Sequence, residues 1–517
     1  MQRRARSAPP VAQIERRRLA WQQARDRARS PQQRNRLGQF ATPGALARQM
    51  LQHAHELLGA APVRFLDPAI GTGSFYAALL RQWPLDRMQV ALGFEIDAHY
   101  AAPCRTLWRD TPLQLRLEDF TAAAAPVKEA DRFNLLICNP PYVRHHHLQR
   151  SAKLRLHQRS MIAAGVRLSG LAGLYAHFIA VAHSWMSENA IAGWLIPSEF
   201  MDVNYGRELK RYLLHAVTLL RIHRFDPTEV QFSDALVSSA IVWLRNRRPE
   251  RAHQIEFTFG GSLARPKKRG MVPASRLQSA AKWTGFPAAL AMASPPAALT
   301  LGEMFHVKRG IATGANAFFI MTREQAGERG IPRQCLRPIL PGPRQLESDE
   351  VLADERGEPL LARCLWLLDC RLPENQLRDA YPQFWRYLEA GRAEFSQGYL
   401  CTRRAPWYLQ ETREPTFFLC TYMARVSESG AQRFIFNRSS AIVANTYLML
   451  YPREPLARFI GDNPVRARCV WQALKRIGTE VMIAGGRVYG GGLYKLEPSE
   501  LARIPAPGVA ALLAMRH

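Results

Sequence analysis

"VRFLDPAIGTGSF", residues 63–75, decides how the first half of this chain folds. An apolar run ends at Asp67, and Pro68 stops the strand it predicts. A short turn follows with Gly71 and Gly73, and then a helix-like stretch begins. Glycine lets the backbone turn sharply and lets a ligand approach it closely. A dinucleotide-binding fingerprint wants a third glycine where Tyr76 stands, and a phosphate loop wants a lysine that is missing here. The turn is therefore not built for a pyrophosphate. Taken alone, it is as well explained as a plain strand-to-helix connection.

The same texture recurs downstream. "QVALGFEID" (89–97), "FNLLICN" (133–139), "IAGWLIP" (191–197) and "SSAIVWLR" (238–245) read as strands. "ALARQMLQHAHELL" (45–58) and "GLYAHFIAVAHSWM" (173–186) read as amphipathic or buried helices. Strands alternating with helices predict an α/β fold, a doubly wound and mainly parallel sheet. Ligands of such sheets bind beyond the carboxyl ends of the strands. Glu95 stands at the second such end, where a carboxylate can accept both hydroxyls of a ribose. "LEDF" (117–120) reads as the end of a third strand. Asp119 can accept from an adenine amine and Phe120 can stack on the ring. Ribose and adenine without pyrophosphate describe S-adenosylmethionine. "GQFATP" (38–43) is placed to close over its methionine moiety. The candidate cofactor residues are Thr42, Asp67, Ala69, Gly71, Gly73, Glu95, Asp119 and Phe120.

"NPPY" (139–142) ends the strand 133–139. Neither proline can donate to a sheet ladder, so the chain leaves the sheet stiffly there. The turn holds the Asn139 amide beside the Tyr142 ring.

The bulk numbers narrow the partners. The chain has 517 residues, a formal charge of +27 and a sequence pI near 10.4, which favours a polyanion such as nucleic acid. No run of about 18 apolar residues suggests a membrane span. The Arg-rich start lacks the apolar stretch of a secretory signal. Eight scattered cysteines, none in C-x-x-C spacing, suggest reduced thiols in a cytoplasm and no zinc site. His145, His146 and His147 are consecutive on a loop and are not expected to converge on a metal ion. Residues 1–37 form a basic arm, and residues 1–36 hold eleven arginines against Glu15 and Asp26. That arm reads as a solvated helix or frayed arm, and also as a phosphate-binding extension, and the two readings are compatible. A catalytic domain over 38–250, a Pro/Gly/Lys/Arg-rich linker or domain edge over 251–300 and a second, mixed α+β domain over 301–517 complete the expected organisation.

The order GQFATP, DPAIGTGSF, GFEID, EDF and NPPY, followed by a long C-terminal region, resembles the gamma class of adenine-N6 DNA methyltransferases of restriction–modification systems. "KRGIATGANAFFI" (308–320) and "RVYGGGLYKLEP" (487–498) resemble that family's target-recognition region. The resemblance implies a class I S-adenosylmethionine-dependent methyltransferase acting as a monomer on double-stranded DNA, with DNA in a basic cleft between the domains. It implies that Asn139 and the Pro140 carbonyl grip an adenine amine, with Pro141 stiffening the turn. Tyr142, and Phe232 further on, would flank the extruded base. Arg309, Thr313, Asn316, Arg487, Tyr489 and Lys495 become candidates for DNA contact. With 37 residues ahead of GQFATP and no carboxylate cluster later, a fused nuclease is not expected, so a separate cognate restriction endonuclease is the candidate partner. NPPY turns also occur in enzymes that methylate RNA or protein glutamine, and a cofactor-sensing DNA-binding protein without turnover is a third reading.

Overall fold

The computed structural model describes residues 11–59, 61–226, 238–287, 299–425, 432–489 and 493–514, apart from the side chains of residues 484, 488 and 489. Two compact units meet in sequence at residues 294 and 295.

The first unit is built on nine strands: β1 (Val63–Asp67), β2 (Met88–Phe94), β3 (Leu113–Arg116), β4 (Phe133–Cys138), β5 (Met186–Pro197), β6 (Thr218–Arg224), β7 (Ser239–Arg245), β8 (Gln254–Gly261) and β9 (Pro266–Pro273). They lie in the order β3-β2-β1-β4-β5-β7-β6-β8-β9. From β3 to β5 every pairing is parallel, while β7 runs antiparallel to both its neighbours. The strand order reverses between β1 and β4, which places a ligand crevice at their carboxyl ends. This is the class I S-adenosylmethionine-dependent methyltransferase architecture.

Strand alternation feeds two cores. Leu66, Leu136 and Cys138 face one layer with helices α7 (Leu174–Ala182) and α8 (Arg207–His215). Phe65, Leu135 and Ile137 face the other, with Ile14, Met50, Leu79 and Trp108 from the helices on that side. Successive side chains on a strand point to opposite faces, so both faces of an internal parallel strand must be apolar. The remaining helices of this unit are α1 (Val11–Arg27), α2 (Pro31–Leu37), α3 (Gly44–Leu58), α4 (Ser74–Gln82), α5 (Ala98–Trp108), α6 (Arg150–Ala164) and α9 (Ala274–Ser279). No described helix is long and apolar enough to cross a membrane.

Three expectations need correction. Residues 251–287 are not a linker, because β8, β9 and α9 extend the sheet. β9 is an edge strand whose Lys267, Lys268 and Arg269 are exposed, and such charges guard an open edge while hiding the apolar alternation. LEDF does not end a strand, since β3 stops at Arg116. The described part of the basic arm is a helix solvated on one face only: α1 packs on α4 and α5 and buries Ile14, Glu15 and Arg18, while α2 buries no residue.

The remaining strands are β10 (Phe305–Arg309), β11 (Ile320–Met321), β12 (Leu336–Ile339), β13 (Glu350–Val351), β14 (Leu365–Leu368), β15 (Phe418–Thr421), β16 (Met423–Arg425), β17 (Phe434–Asn437), β18 (Tyr447–Pro452), β19 (Arg487–Tyr489) and β20 (Leu493–Lys495), all in the second unit except Tyr489 of β19. They form sheets of five (β10-β18-β15-β17-β13), three (β11-β14-β12) and three strands (β16-β20-β19).

Candidate active site

The turn after β1 carries Gly71 and Gly73 at φ of 57° and 91°. Gly73 is forced by its neighbour, because a Cβ there would stand 2.4 Å from the Trp108 indole nitrogen. That indole donates to the Thr72 carbonyl at 3.0 Å and pins the turn. At Gly71 a Cβ would meet nothing within 4 Å, so the backbone is open to a ligand. Glu95 follows β2 and braces this turn. Its Oε2 accepts from the Gly71 N–H at 3.1 Å and its Oε1 from the Asp97 N–H at 2.9 Å. Burial pushes the Glu95 carboxyl up to about 7 and Asp67, which is 1% exposed, up to about 8. Both sit where few solvent dipoles stabilise a charge.

β4 delivers Asn139. Its Nδ2 donates twice, to the Phe40 carbonyl at 2.9 Å and to Thr42 Oγ1 at 3.1 Å. Two acceptors on one nitrogen fix which way the amide faces. The Oδ1 atom is then left buried with no hydrogen-bond partner. A buried acceptor without a donor costs free energy, so a site that keeps one is poised for an incoming N–H. Tyr142 is nearly buried, with its hydroxyl donating to the Leu195 carbonyl at 3.1 Å and its ring 5.5 Å from that of Phe40. The GQFATP segment thus lies against the NPPY turn: Tyr142 N–H donates to the Gly38 carbonyl at 3.2 Å. Ser74 Oγ donates to the Thr42 carbonyl at 3.0 Å, tying the same segment to α4.

Comparison with known proteins gives this geometry its family. Residues 101–231 match the model of the Eco57I restriction-modification methylase, and residues 288–516 that of the Type II methyltransferase M.Eco57I, C-terminal domain. The Type II methyltransferase M.XamI of Xanthomonas campestris pv. amaranthicola is 30% identical over 492 residues, 93% of this chain and 86% of the relative. The chain belongs to the Type II restriction-modification methyltransferases. M.AccI of Acinetobacter calcoaceticus is 24% identical over 489 residues, 91% of this chain and 85% of that one. The solved structure of the Type IIL restriction-modification enzyme MmeI in complex with DNA shares the fold, with a TM-score of 0.57 at 14% identity over 94% of this chain and 77% of that one.

As in other Type II methyltransferases, the cofactor is S-adenosylmethionine, and the open backbone at Gly71 beside the Glu95 carboxylate fits a ribose. The other cofactor candidates are placed unevenly. Ala69 N–H donates to Asp67 Oδ1 at 3.1 Å, so these two residues shape the turn. Asp119 accepts from the Thr121 N–H and hydroxyl and from Arg155 at 2.8 Å. Phe120 differs from the expectation of a stacking face. It is 1% exposed and packs against Phe94, Phe178 and Trp185. Thr42 touches the amide of Asn139, a contact between residues 97 apart that has no local signal. Phe232 lies outside the described residues. The three histidines form a 3₁₀ turn with rings in edge-on and tilted contact, and no group of metal-ligating side chains occurs among the described residues.

In the second unit of the methyltransferase, two DNA candidates converge on a residue that sequence reading missed. The Arg309 guanidinium lies 4.2 Å and the Lys495 ammonium 5.0 Å from the centroid of the Tyr422 ring. Arg309 is exposed, whereas Lys495 is partly buried and pairs with Glu497 at 2.8 Å. The others separate. Thr313 is buried and hydrogen-bonded to Asn316 Oδ1 at 2.5 Å, shaping the turn into the Asn316–Phe319 helix. Arg487 is held by the buried Glu500 at 2.7 Å. The Tyr489 side chain is outside the described set.

Proposed function

We propose that this methyltransferase modifies the N6 amine of an adenine flipped out of duplex DNA. The observation that carries the reading is Asn139, whose nitrogen is doubly engaged while its buried oxygen faces no donor. An exocyclic amine is a poor nucleophile because its lone pair is delocalised into the ring. The Asn139 oxygen accepts one N–H and the Pro140 carbonyl the other, drawing the nitrogen towards a tetrahedral shape. Acceptors fixed in advance act most strongly where positive charge develops. Pro141 stiffens the turn that presents them. S-adenosylmethionine supplies the electrophilic sulfonium methyl when bound. Holding the amine on that side converts the encounter into an oriented one. Tyr142 flanks the base, and stacking of roughly 1–3 kcal/mol offsets part of the few kcal/mol of unstacking.

The net charge of +27 and the restriction–modification family support DNA as the substrate. The MmeI structure, whose fold this chain shares, is itself a complex with DNA. We assign the chain a cytoplasmic role as a monomer on DNA, protecting sites that a separate endonuclease would cut.

The deciding experiment is methyl transfer from labelled S-adenosylmethionine to unmethylated duplex DNA, read by nucleoside mass spectrometry. N6-methyldeoxyadenosine is expected from wild type and none from Asn139→Ala, with cofactor and DNA binding retained in the variant. Methylated cytosine would overturn the reading. Label in RNA or a glutamine side chain but not in DNA would replace the substrate, since those amines fit the same acceptor.

A further inference from the structure

Helix α1 and the two residues after it lie against the cofactor turns through two polar clusters, which meet where the Arg29 guanidinium lies 5.6 Å from the centroid of the Tyr100 ring. Arg18 is 1% exposed and uses its whole guanidinium. Its Nε and Nη2 reach the Glu15 carboxylate at 2.6 and 2.8 Å, and Nη1 donates to Thr72 Oγ1 at 3.1 Å. Thr72 belongs to the glycine turn after β1. Its hydroxyl in turn donates to Gln22 Oε1 at 2.6 Å. Gln22 Nε2 donates to Asp26 Oδ1 at 2.9 Å, and the same oxygen accepts from the Tyr100 hydroxyl of α5 at 2.9 Å.

The second cluster reaches the Glu95 turn. Arg29 donates to Asp97 Oδ2 at 2.5 Å and to Gln39 Oε1 at 2.7 Å, while Gln39 Nε2 donates to the same carboxylate oxygen at 2.8 Å. Burial alone would raise the Asp97 carboxyl, but these donors and the His99 N–H outweigh it and bring it down to about 2. At the other end, Glu15 Oε1 lies 3.1 Å from where a Cβ on Gly44 would stand, at the start of α3. Pro43 gives that helix no side-chain cap. A carboxylate there offsets the positive end of the helix dipole.

We propose that α1 is a clasp on the cofactor site, with Arg18, Gln22 and Arg29 as positioning residues for S-adenosylmethionine. One segment holds the Gly71 turn through Thr72, the Glu95 turn through Asp97, and the GQFATP segment through Gln39. These are the three pieces that surround the cofactor-binding backbone. Stability alone does not explain the arrangement. A buried ion pair is often no more stable than well-packed apolar side chains of similar volume. A fully hydrogen-bonded junction does something packing cannot, because it fixes the register of α1 against the turn. Arg18, the buried arginine of α1, and Arg29 just after the helix are thereby committed to protein and not to phosphate.

The proposal rests on the cofactor assignment, so its test is binding, with no methyl transfer required. Calorimetric affinity for S-adenosylmethionine is measured on the full chain for wild type, Arg18→Ala, Gln22→Leu and Arg29→Gln. A loss of at least tenfold is expected for Arg18→Ala and three- to tenfold for the other two. DNA affinity and kcat at saturating cofactor stay within twofold. If Arg18→Ala does not fold, the two milder variants decide. Cofactor affinity unchanged within twofold in the folded variants, or a loss of DNA affinity in its place, overturns the clasp. A wild type that binds no S-adenosylmethionine would instead remove the cofactor assignment beneath it.

Discussion

Thr42→Val tests whether the Asn139 amide is set by the GQFATP segment. The change keeps the shape of a nearly buried side chain and removes the oxygen that accepts from Asn139 Nδ2 at 3.1 Å. The Phe40 carbonyl at 2.9 Å is then the sole acceptor, and one N–H of the amide is unsatisfied in a confined place. Leaving such a donor unpaired costs about 1–3 kcal/mol. The amide can relieve the cost by rotating, which moves Oδ1 away from the position that grips the substrate amine. If that whole cost appears in the barrier, at about 1.4 kcal/mol per decade, kcat falls ~5- to ~150-fold. The assay is steady-state methylation of a duplex with both substrates varied, beside calorimetric cofactor binding. Expected is a lower kcat with KM for S-adenosylmethionine within twofold. A raised cofactor KM at unchanged kcat would refute the reasoning and return Thr42 to the role of cofactor ligand. An unchanged enzyme would show that Phe40 alone suffices.

Other expectations follow from the same geometry. Gly38→Ala places a Cβ 2.4 Å from the Tyr142 nitrogen at φ 67°, and should lower the urea midpoint together with activity. Its strain includes about 1–2 kcal/mol for the left-handed conformation. Gly71→Ala meets no neighbour but carries the same left-handed strain at φ 57°, so it should lower the urea midpoint by less than Gly38→Ala while also weakening cofactor binding, a contrast read by calorimetry. Asp67 titrates near 3.8 when unfolded and about 8 when folded, so its protonated form is the stabilised one, and stability is lost as pH rises through that window. The melting temperature of Asp67→Asn minus that of wild type should therefore grow from pH 5 to about pH 8.5, and a flat difference would count against the buried carboxyl. Arg309→Ala should weaken DNA binding and reduce the salt slope by about 1, whereas Arg487→Ala should act on stability by removing the ion pair to the buried Glu500.

The sheet and the chemistry at its edge were legible because they rest on local signals. A strand, an acid and a glycine turn are adjacent in sequence, and so are Asn139 and its prolines. What was not legible rests on partners far along the chain. Nothing near Asn139 says that Phe40 and Thr42 orient its amide. The inward face of α1 carries a spacing of three to four, through Ile14, Glu15, Arg18, Trp21 and Gln22, but it is written among so many arginines that net charge dominated the reading. Phe120 follows an acid and is equally good as platform or core, and only the packed neighbours distinguish them. Tyr422 sits in "CTYMAR", with no local sign that Arg309 and Lys495 gather on its ring.

The bond between Asn139 and Phe40 spans 99 residues, and that between Tyr142 and Leu195 spans 53. Contacts so distant along the chain close late, because the loop entropy must be overcome before they reward it. At about 5–20 residues per second, a ribosome needs roughly 3–11 s beyond Asn139 to reach Leu195. The acceptor geometry thus belongs to no fragment and no half-assembled sheet. Methyl transfer is in this sense a clock for the completion of the first unit. Its recovery after dilution from urea should lag behind the return of helical signal.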